Sequence, residues 1–415
     1  MASKGATIIV APVPATAQIC VPNMTSFTKS VVLPIVLAVS GPLSQASSED
    51  AVPELTKSLS ELPSDRSVLE LPEGVFTIGS TWTISKPGIT IRGAGIGKTI
   101  LMRDPQFDGV MIKVNSANVT ISGMTLDGNG AKTVISLTQP GAVADTIEVK
   151  NFSHIGIAVP ASNCRVNNCR VIGLGNPTVT SIGIWHDGGQ SSTTSTIKIE
   201  RNIIRDNGIN GIYCTGGQVT ITDNELTGNH CGVNPGGGQI DVGNAFTTNT
   251  VAVIDGNQIQ NGGGTKSGGI ELGGGSFTIT NNVIRNHGLS GIGLGYNTIH
   301  ATISGNTISN SGHFIGTKGY KLEHGAGISI GYGASNIEIF ANRCFDDQPN
   351  KTQTWGIVLV RPPTRLSPKF SPKSMENIVI KDNDLRGNAH AEGLLDQSTA
   401  RHKIISGNLP PAANR

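Results

Sequence analysis

One pattern, apolar-x-apolar-x-x-Asn-x-apolar, recurs along the chain and narrows what it can fold into. It reads IKIERNII at 197–204, VTITDNEL at 219–226, FTITNNVI at 277–284, ATISGNTI at 301–308, IEIFANRC at 337–344 and IVIKDNDL at 378–385. The Asn falls at 167, 202, 224, 257, 282, 306, 342, 383 and 408. Its base spacing of about 22–25 residues, lengthened by insertions, is that of a solenoid. Between these segments comes Gly-Ile-x-apolar or a near variant: GIAV (156–159), GIWH (183–186), GIYC (211–214), GVNP (232–235), GIEL (269–272), GIGL (291–294), GISI (327–330) and GIVL (356–359). Alternation over so few residues means short strands with one face in and one face out. A unit this small cannot bury its own apolar face. Stacking units at about 4.8 Å per rung buries Ile, Val and Leu in one continuous column.

Composition removes the competing classes. Only 14% of the 415 residues are charged, well below the ~25% of an average domain, which excludes a coiled coil or a charge-rich disordered polymer. The 54 Gly follow no three-residue period, which excludes collagen. A net charge of +2 leaves no basic stripe for nucleic acid. The six Cys show no CxxC or Cys/His spacing, so neither zinc nor a disulfide framework is indicated. Cys164, Cys169 and Cys344 read as small core fillers, the last two in the same slot of the repeat. GAGIGKT at 93–99 resembles a phosphate loop, but Arg92 stands where the first Gly is needed and no helix follows.

Residues 1–46 contain Lys4 and Lys29 and no acid. From Met24, Lys29 precedes the apolar run Val31 to Val39 and then Ser44-Gln45-Ala46, a small-x-small cleavage site. Residues 24–46 therefore read as a secretory signal peptide, too short for stable membrane insertion. The expected location is secreted, periplasmic or extracellular, and the chain left after cleavage is neutral. Within 47–66, Val52, Leu55, Leu59 and Leu62 recur at helical spacing with Pro53 suited to a first turn. This segment is expected to form a helix and linker that cap the first rung and cover an open sheet edge. The solenoid then occupies 67–408, and 409–415 form a tail.

On the repeats quoted above, residues 67–408 resemble the right-handed parallel β-helices of the pectate-lyase-like superfamily. In that superfamily each rung has strands PB1, PB2 and PB3 joined by turns T1, T2 and T3. By this resemblance the VTI-type segments are PB2, the Asn marks T2, the following apolar residue lies in PB3, and Gly-Ile-x-apolar is PB1. The expected fold class is all-β: a right-handed parallel β-helix, or β-solenoid, with a short N-terminal capping helix. Stacked Asn side chains hydrogen-bond along a column, so the T2 Asn read as structural rather than catalytic.

Alternation places the residue after each PB1 Ile on the outside: Ala158, Trp185, Tyr213, Asn234, Glu271, Gly293, Ser329 and Val358. Trp185, Tyr213, Asn234 and Glu271 should form a line on neighbouring rungs, aromatic rings for stacking on sugars beside groups that bind hydroxyls. Asp187 and Trp355 join them as binding candidates. His230, Lys266 and His287 come from T3 segments, and the T3 stretch 311–326 adds His313, Lys318, Tyr320, Lys321, Glu323 and His324. A T1 insertion at 361–373 holds Arg361, Arg365, Lys369 and Lys373 without an acid, which suits an anionic polymer.

The resemblance implies carbohydrate-active chemistry, commonly cleavage of acidic polysaccharides. In β-elimination a base removes the proton α to a uronate carboxylate while a cation or hydrogen-bond donors neutralise that carboxylate. His230, Lys266, His287, Tyr320, Lys321 and His324 are the base candidates. Glu271, with Asp241 from a T1 insertion at 234–250, is the candidate neutraliser or Ca²⁺ ligand. The reading is a polysaccharide lyase or related C5-epimerase acting on an acidic polysaccharide. Two alternatives stand beside it: a glycoside hydrolase pairing Glu271 with Asp241, Asp187 or Glu323, and a non-catalytic glycan-binding β-helix. The sequence departs from the paired-Asp pattern of polygalacturonases, the DPHE-type tetrad of alginate C5-epimerases and the calcium motif of pectate lyases. GGGQID at 236–241 resembles a calcium-binding nonapeptide only once, and HGAG at 324–327 shares only a His-Gly with polygalacturonases.

Overall fold

A computed structural model describes residues 36–38, 49–63, 67–176, 178–188, 194–229, 237–243, 248–262, 267–295, 297–313, 325–331, 333–361 and 375–409. Each described strand pairs in parallel with its counterpart one turn further along, and the PB2 strands make one 14-stranded sheet. Its inward column runs Val166, Ile199, Ile221, Ile254, Ile279, Ile303, Ile339 and Ile380, in register from rung to rung. PB3 contributes Val171, Ile204, Leu226, Ile259, Ile284, Ile308 and Cys344. PB1 contributes Ile184, Ile212, Ile240, Ile270, Ile292, Ile328 and Ile357. These residues are fully buried, each worth about 1.5–3 kcal/mol of apolar burial.

The T2 corner is held by an Asn ladder. From Asn202 through Asn224, Asn257, Asn282, Asn306, Asn342 and Asn383 to Asn408, each Nδ2 donates to the next Oδ1 at 2.8–3.0 Å. The same Oδ1 accepts the preceding Asn's backbone N–H. The residue before the Asn is left-handed, as in Asp223 and Asn281 at φ 55°, which sharpens the turn. Asn167 stands outside this ladder. It pairs with Glu200 in PB2, and the Cys169 N–H reaches Asn202 Oδ1, so Cys169 fills the ladder position. Cys344 pairs with Ile308 in PB3; the two thiols therefore occupy different slots, contrary to the sequence reading, although both are buried and free.

The PB1 glycine is a steric requirement. A β-carbon at Gly183 or Gly269 would lie 2.6 or 2.5 Å from the carbonyl oxygen of the next rung's glycine. In one rung Gln239 replaces it, and its side chain joins a second polar ladder in T3. Asn207 Nδ2 donates to Asn229 Oδ1 at 2.7 Å, and Asn229 Nδ2 donates to Gln239 Oε1 at 2.9 Å.

The capping helix spans Val52–Glu61 and buries Val52, Leu55 and Leu59. Asp50 ties it to the first rungs, accepting from the Val52 and Gly79 N–H groups at 3.0 and 2.9 Å and from Ser80 Oγ at 2.7 Å. Val36–Ala38, inside the segment read as a leader, pairs as a strand with Val68–Glu70. Among the described residues no helix is long and apolar enough to cross a membrane.

Candidate functional site

Register alone draws the outer line of PB1. Ala158 pairs with Trp185, Trp185 with Tyr213, Tyr213 with Asp241, Asp241 with Glu271, and Glu271 with Gly293, followed by Ser329 and Val358. The position expected for Asn234 belongs to Asp241. The PB1 strand of that rung is Gly238–Gly243, with Ile240 and Val242 inside, rather than GVNP. Pro235 was the signal available in the sequence, because proline cannot donate within a central strand. Asp241 is thus on PB1 itself and not in a T1 insertion; Asn234 lies outside the described residues.

This places two acids side by side on paired strands, where like charges destabilise one another. Burial pushes the Asp241 carboxyl up to about 7. Burial first, and the charge of Asp241 second, push Glu271 up to about 8. Each residue keeps a minor part of its surface exposed, yet the protein around the carboxyl groups makes ionisation costly. Near neutral pH the two acids therefore titrate as a pair that retains protons. Backbone without side chains makes room for Glu271: a β-carbon at Gly268 or Gly293 would collide with its carboxyl oxygens.

Trp185 and Tyr213 are partly exposed on the next rungs. The Tyr213 phenol is raised by burial and by the charge of Asp241. Asp187 is exposed and accepts a hydrogen bond from Thr215 Oγ1 at 2.9 Å at the T1 end of the same strands.

Three other expected positions carry corrections or limits. His287 is not a groove base. The PB3 strand Val283–His287 continues through it and pairs it with Ser311, so the ring is buried, with Nε2 3.3 Å from the Ile259 carbonyl oxygen. Burial lowers its pKa to about 4, leaving it neutral and out of reach of a polymer. Trp355 is only 9% exposed and stacks on His390, ring centroids 4.1 Å apart; it packs and offers no open platform. Arg361 follows the PB1 strand Trp355–Leu359 on the T1 side and donates from Nε to Gln397 Oε1 at 3.4 Å. His230, Lys266, Tyr320, Lys321, His324 and Arg365 lie outside the described residues.

Residues 82–251 match a family model described as a right handed beta helix region. The solved structure of a PL6 alginate lyase in complex with a trisaccharide matches at TM-score 0.66 and 16% identity, covering 90% of this chain and 85% of that one. The Dettilon tailspike protein matches at 0.60 and 16%, covering 87% and 68%. The catalytic unit of a GH87 α-1,3-glucanase from Streptomyces thermodiastaticus matches at 0.55 and 13%, covering 88% and 67%. The chain is a right-handed parallel β-helix. Among curated proteins none matches it. At these identities the likeness establishes the β-helix and leaves the chemistry to its own residues.

In this β-helix the Asp241–Glu271 pair falls short of a Ca²⁺ site. The ion takes roughly six to eight oxygen ligands, and among the described residues no group of three or more His, Cys, Asp or Glu converges. What the pair can do is donate and accept protons beside the partly exposed Trp185 and Tyr213 of the neighbouring rungs.

Proposed function

We propose that this β-helix is an exported carbohydrate-active enzyme that cleaves an acidic polysaccharide lying along PB1. Trp185 and Tyr213 stack on sugar rings, and Asp241 with Glu271 handles protons at the scissile linkage. The observation carrying the reading is the adjacency of two acids raised to about 7 and about 8 beside those aromatic residues. A protonated Glu271 donates a hydrogen bond to a uronate carboxylate, supplying the neutralisation that β-elimination requires without presenting a fixed negative charge to the polymer. The proton-abstracting base comes from the T3 candidates His230, Lys266, Tyr320, Lys321 and His324. Likeness to an alginate lyase fold supports elimination as the first reading.

Hydrolysis is the second reading, favoured by the pair itself. A protonated acid beside an ionised one is the division of labour of a glycosidase, and a GH87 glucanase shares the fold. Products separate the two when the protein is given alginate, pectate, chondroitin and α-1,3-glucan. Elimination generates an unsaturated uronate absorbing in the near ultraviolet, whereas hydrolysis yields only new reducing ends. Binding without either product would leave a glycan-binding protein and remove both enzyme readings.

A further inference from the structure

The outer face of PB2 carries a second ordered surface. Alternation turns Arg165, Lys198, Thr220 and Val253 outward in one column, in register from strand to strand. Thr196, Gln218 and Val251 form the column beside it, and Asn163 stands just before the strand Cys164–Asn167. Arg165 and Lys198 are both exposed and lie directly opposite one another, an arrangement of like charges that destabilises a sheet. Among the described residues neither side chain has a hydrogen-bond or ion-pair partner. Glu200, two residues from Lys198 on the same strand, pairs with neither. The stretches 189–193 and 244–247, outside the described residues, read GQSST and NAFT and hold no acid.

Arg165, Lys198, Asn163, Thr196, Gln218 and Thr220 line one surface depression. Thr196 Oγ1 accepts the Asn163 N–H at 3.1 Å, leaving its hydroxyl hydrogen for another acceptor. The following rung is apolar: Val251 is 50% exposed and Val253 39%. Ser276 and Thr278 come next in register. The order along the sheet is thus cations, amide and hydroxyls, apolar side chains, then hydroxyls again. Two cations are too few for the phosphate run of a nucleic acid. An anionic sugar matches the order. Its carboxylate or sulfate takes charge-assisted hydrogen bonds from Arg165 and Lys198, its hydroxyls meet Gln218 and Thr220, and the apolar face of a ring covers Val251 and Val253.

We infer that this PB2 surface is a second glycan-binding site, which holds an acidic polysaccharide away from the PB1 acid pair. The inference takes the class of polymer from the proposed function and requires no chemistry at PB1. A polymer held there stays close to the protein between encounters with PB1, which raises its effective concentration.

The test follows acylation of Lys198 by an amine-reactive reagent, read by peptide mass spectrometry. It uses the full chain carrying Glu271→Gln, so that turnover does not consume the ligand. Alginate, pectate and chondroitin sulfate oligosaccharides are compared with α-1,3-glucan oligosaccharides and with inorganic sulfate. An acidic oligosaccharide should slow labelling of Lys198 and leave Lys57, exposed on the capping helix, unchanged. Arg165→Gln should raise the concentration giving half-protection by about 3- to 10-fold without lowering the melting temperature. Labelling that no acidic oligosaccharide slows overturns the site, as does protection unchanged by Arg165→Gln. Protection by inorganic sulfate equal to that by the oligosaccharides marks a site for small anions and overturns glycan binding. Cleavage is scored separately: a wild-type chain that cleaves none of these polymers loses the proposed function, while protection of Lys198 would still stand.

Discussion

In the T2 turns, stacking brings Asn over Asn from Asn202 to Asn408, whereas on the outer face of PB1 the same stacking sets Trp185, Tyr213, Asp241 and Glu271 in line. A parallel in-register solenoid places each residue against its counterpart one rung away. Asn carries both a donor and an acceptor, so identical copies satisfy one another indefinitely. An ionised carboxylate only accepts, so two stacked acids conflict until a proton is retained between them. The Asn column is what the fold favours. The acid pair is what it tolerates, and that contrast is why the second column is the candidate site.

Removing one acid should break the comparison most sharply. Glu271→Gln preserves shape and hydrogen bonding but cannot transfer a proton, and turnover should fall by about 10²–10⁴-fold with cooperative melting retained. Unaltered turnover would take Glu271 out of the site. A ladder substitution should do the reverse. Asn282→Ala removes the acceptor of the Asn257 backbone N–H and of one Asn257 Nδ2 hydrogen, costing about 2–3 kcal/mol by denaturant unfolding with turnover per folded molecule unchanged. Loss of activity in the folded fraction would mean the two columns are not separable.

Smaller effects sharpen the same contrast. Tyr213→Ala should weaken oligosaccharide binding about 3- to 10-fold, read by calorimetry, without altering the pH profile. The pH dependence of stability has a definite sign. Both carboxyls are raised in the folded chain, so between the ordinary carboxylate range and about 8 the folded state binds more protons than the unfolded state. Their contribution is complete below that window and is lost as pH rises through it. His287, lowered to about 4, works in the opposite sense only below its ordinary pKa. Melting temperature should therefore fall as pH rises from about 6.5 to about 9, and Glu271→Gln or Asp241→Asn should flatten that slope. An equally steep slope in both variants would place the titration elsewhere.

The repeat made the fold legible because each rung restates it: the apolar alternation, the T2 Asn, and the helical spacing of Val52, Leu55 and Leu59 all recur in the structure. The same alternation located Trp185, Tyr213 and Glu271 on one line. It put Asp241 in a T1 insertion instead of on PB1 because GVNP imitates the PB1 motif while the true strand carries Gln239 in place of glycine. It misplaced His287 because alternation does not say where a strand ends, and this PB3 strand runs on into the expected turn. Trp355 deceived for a third reason: its cover comes from Ala326, Val358 and His390, contacts set by stacking and chain return rather than by neighbours in sequence.

The central claim is that Asp241 and Glu271 hold protons jointly at neutral pH, and carbon NMR titration of the side-chain carboxyls in the intact protein tests it most directly. The account predicts two coupled steps, near 7 and near 8, collapsing to one in the Glu271→Gln variant. Two independent titrations near the ordinary carboxylate value of about 4 would contradict it.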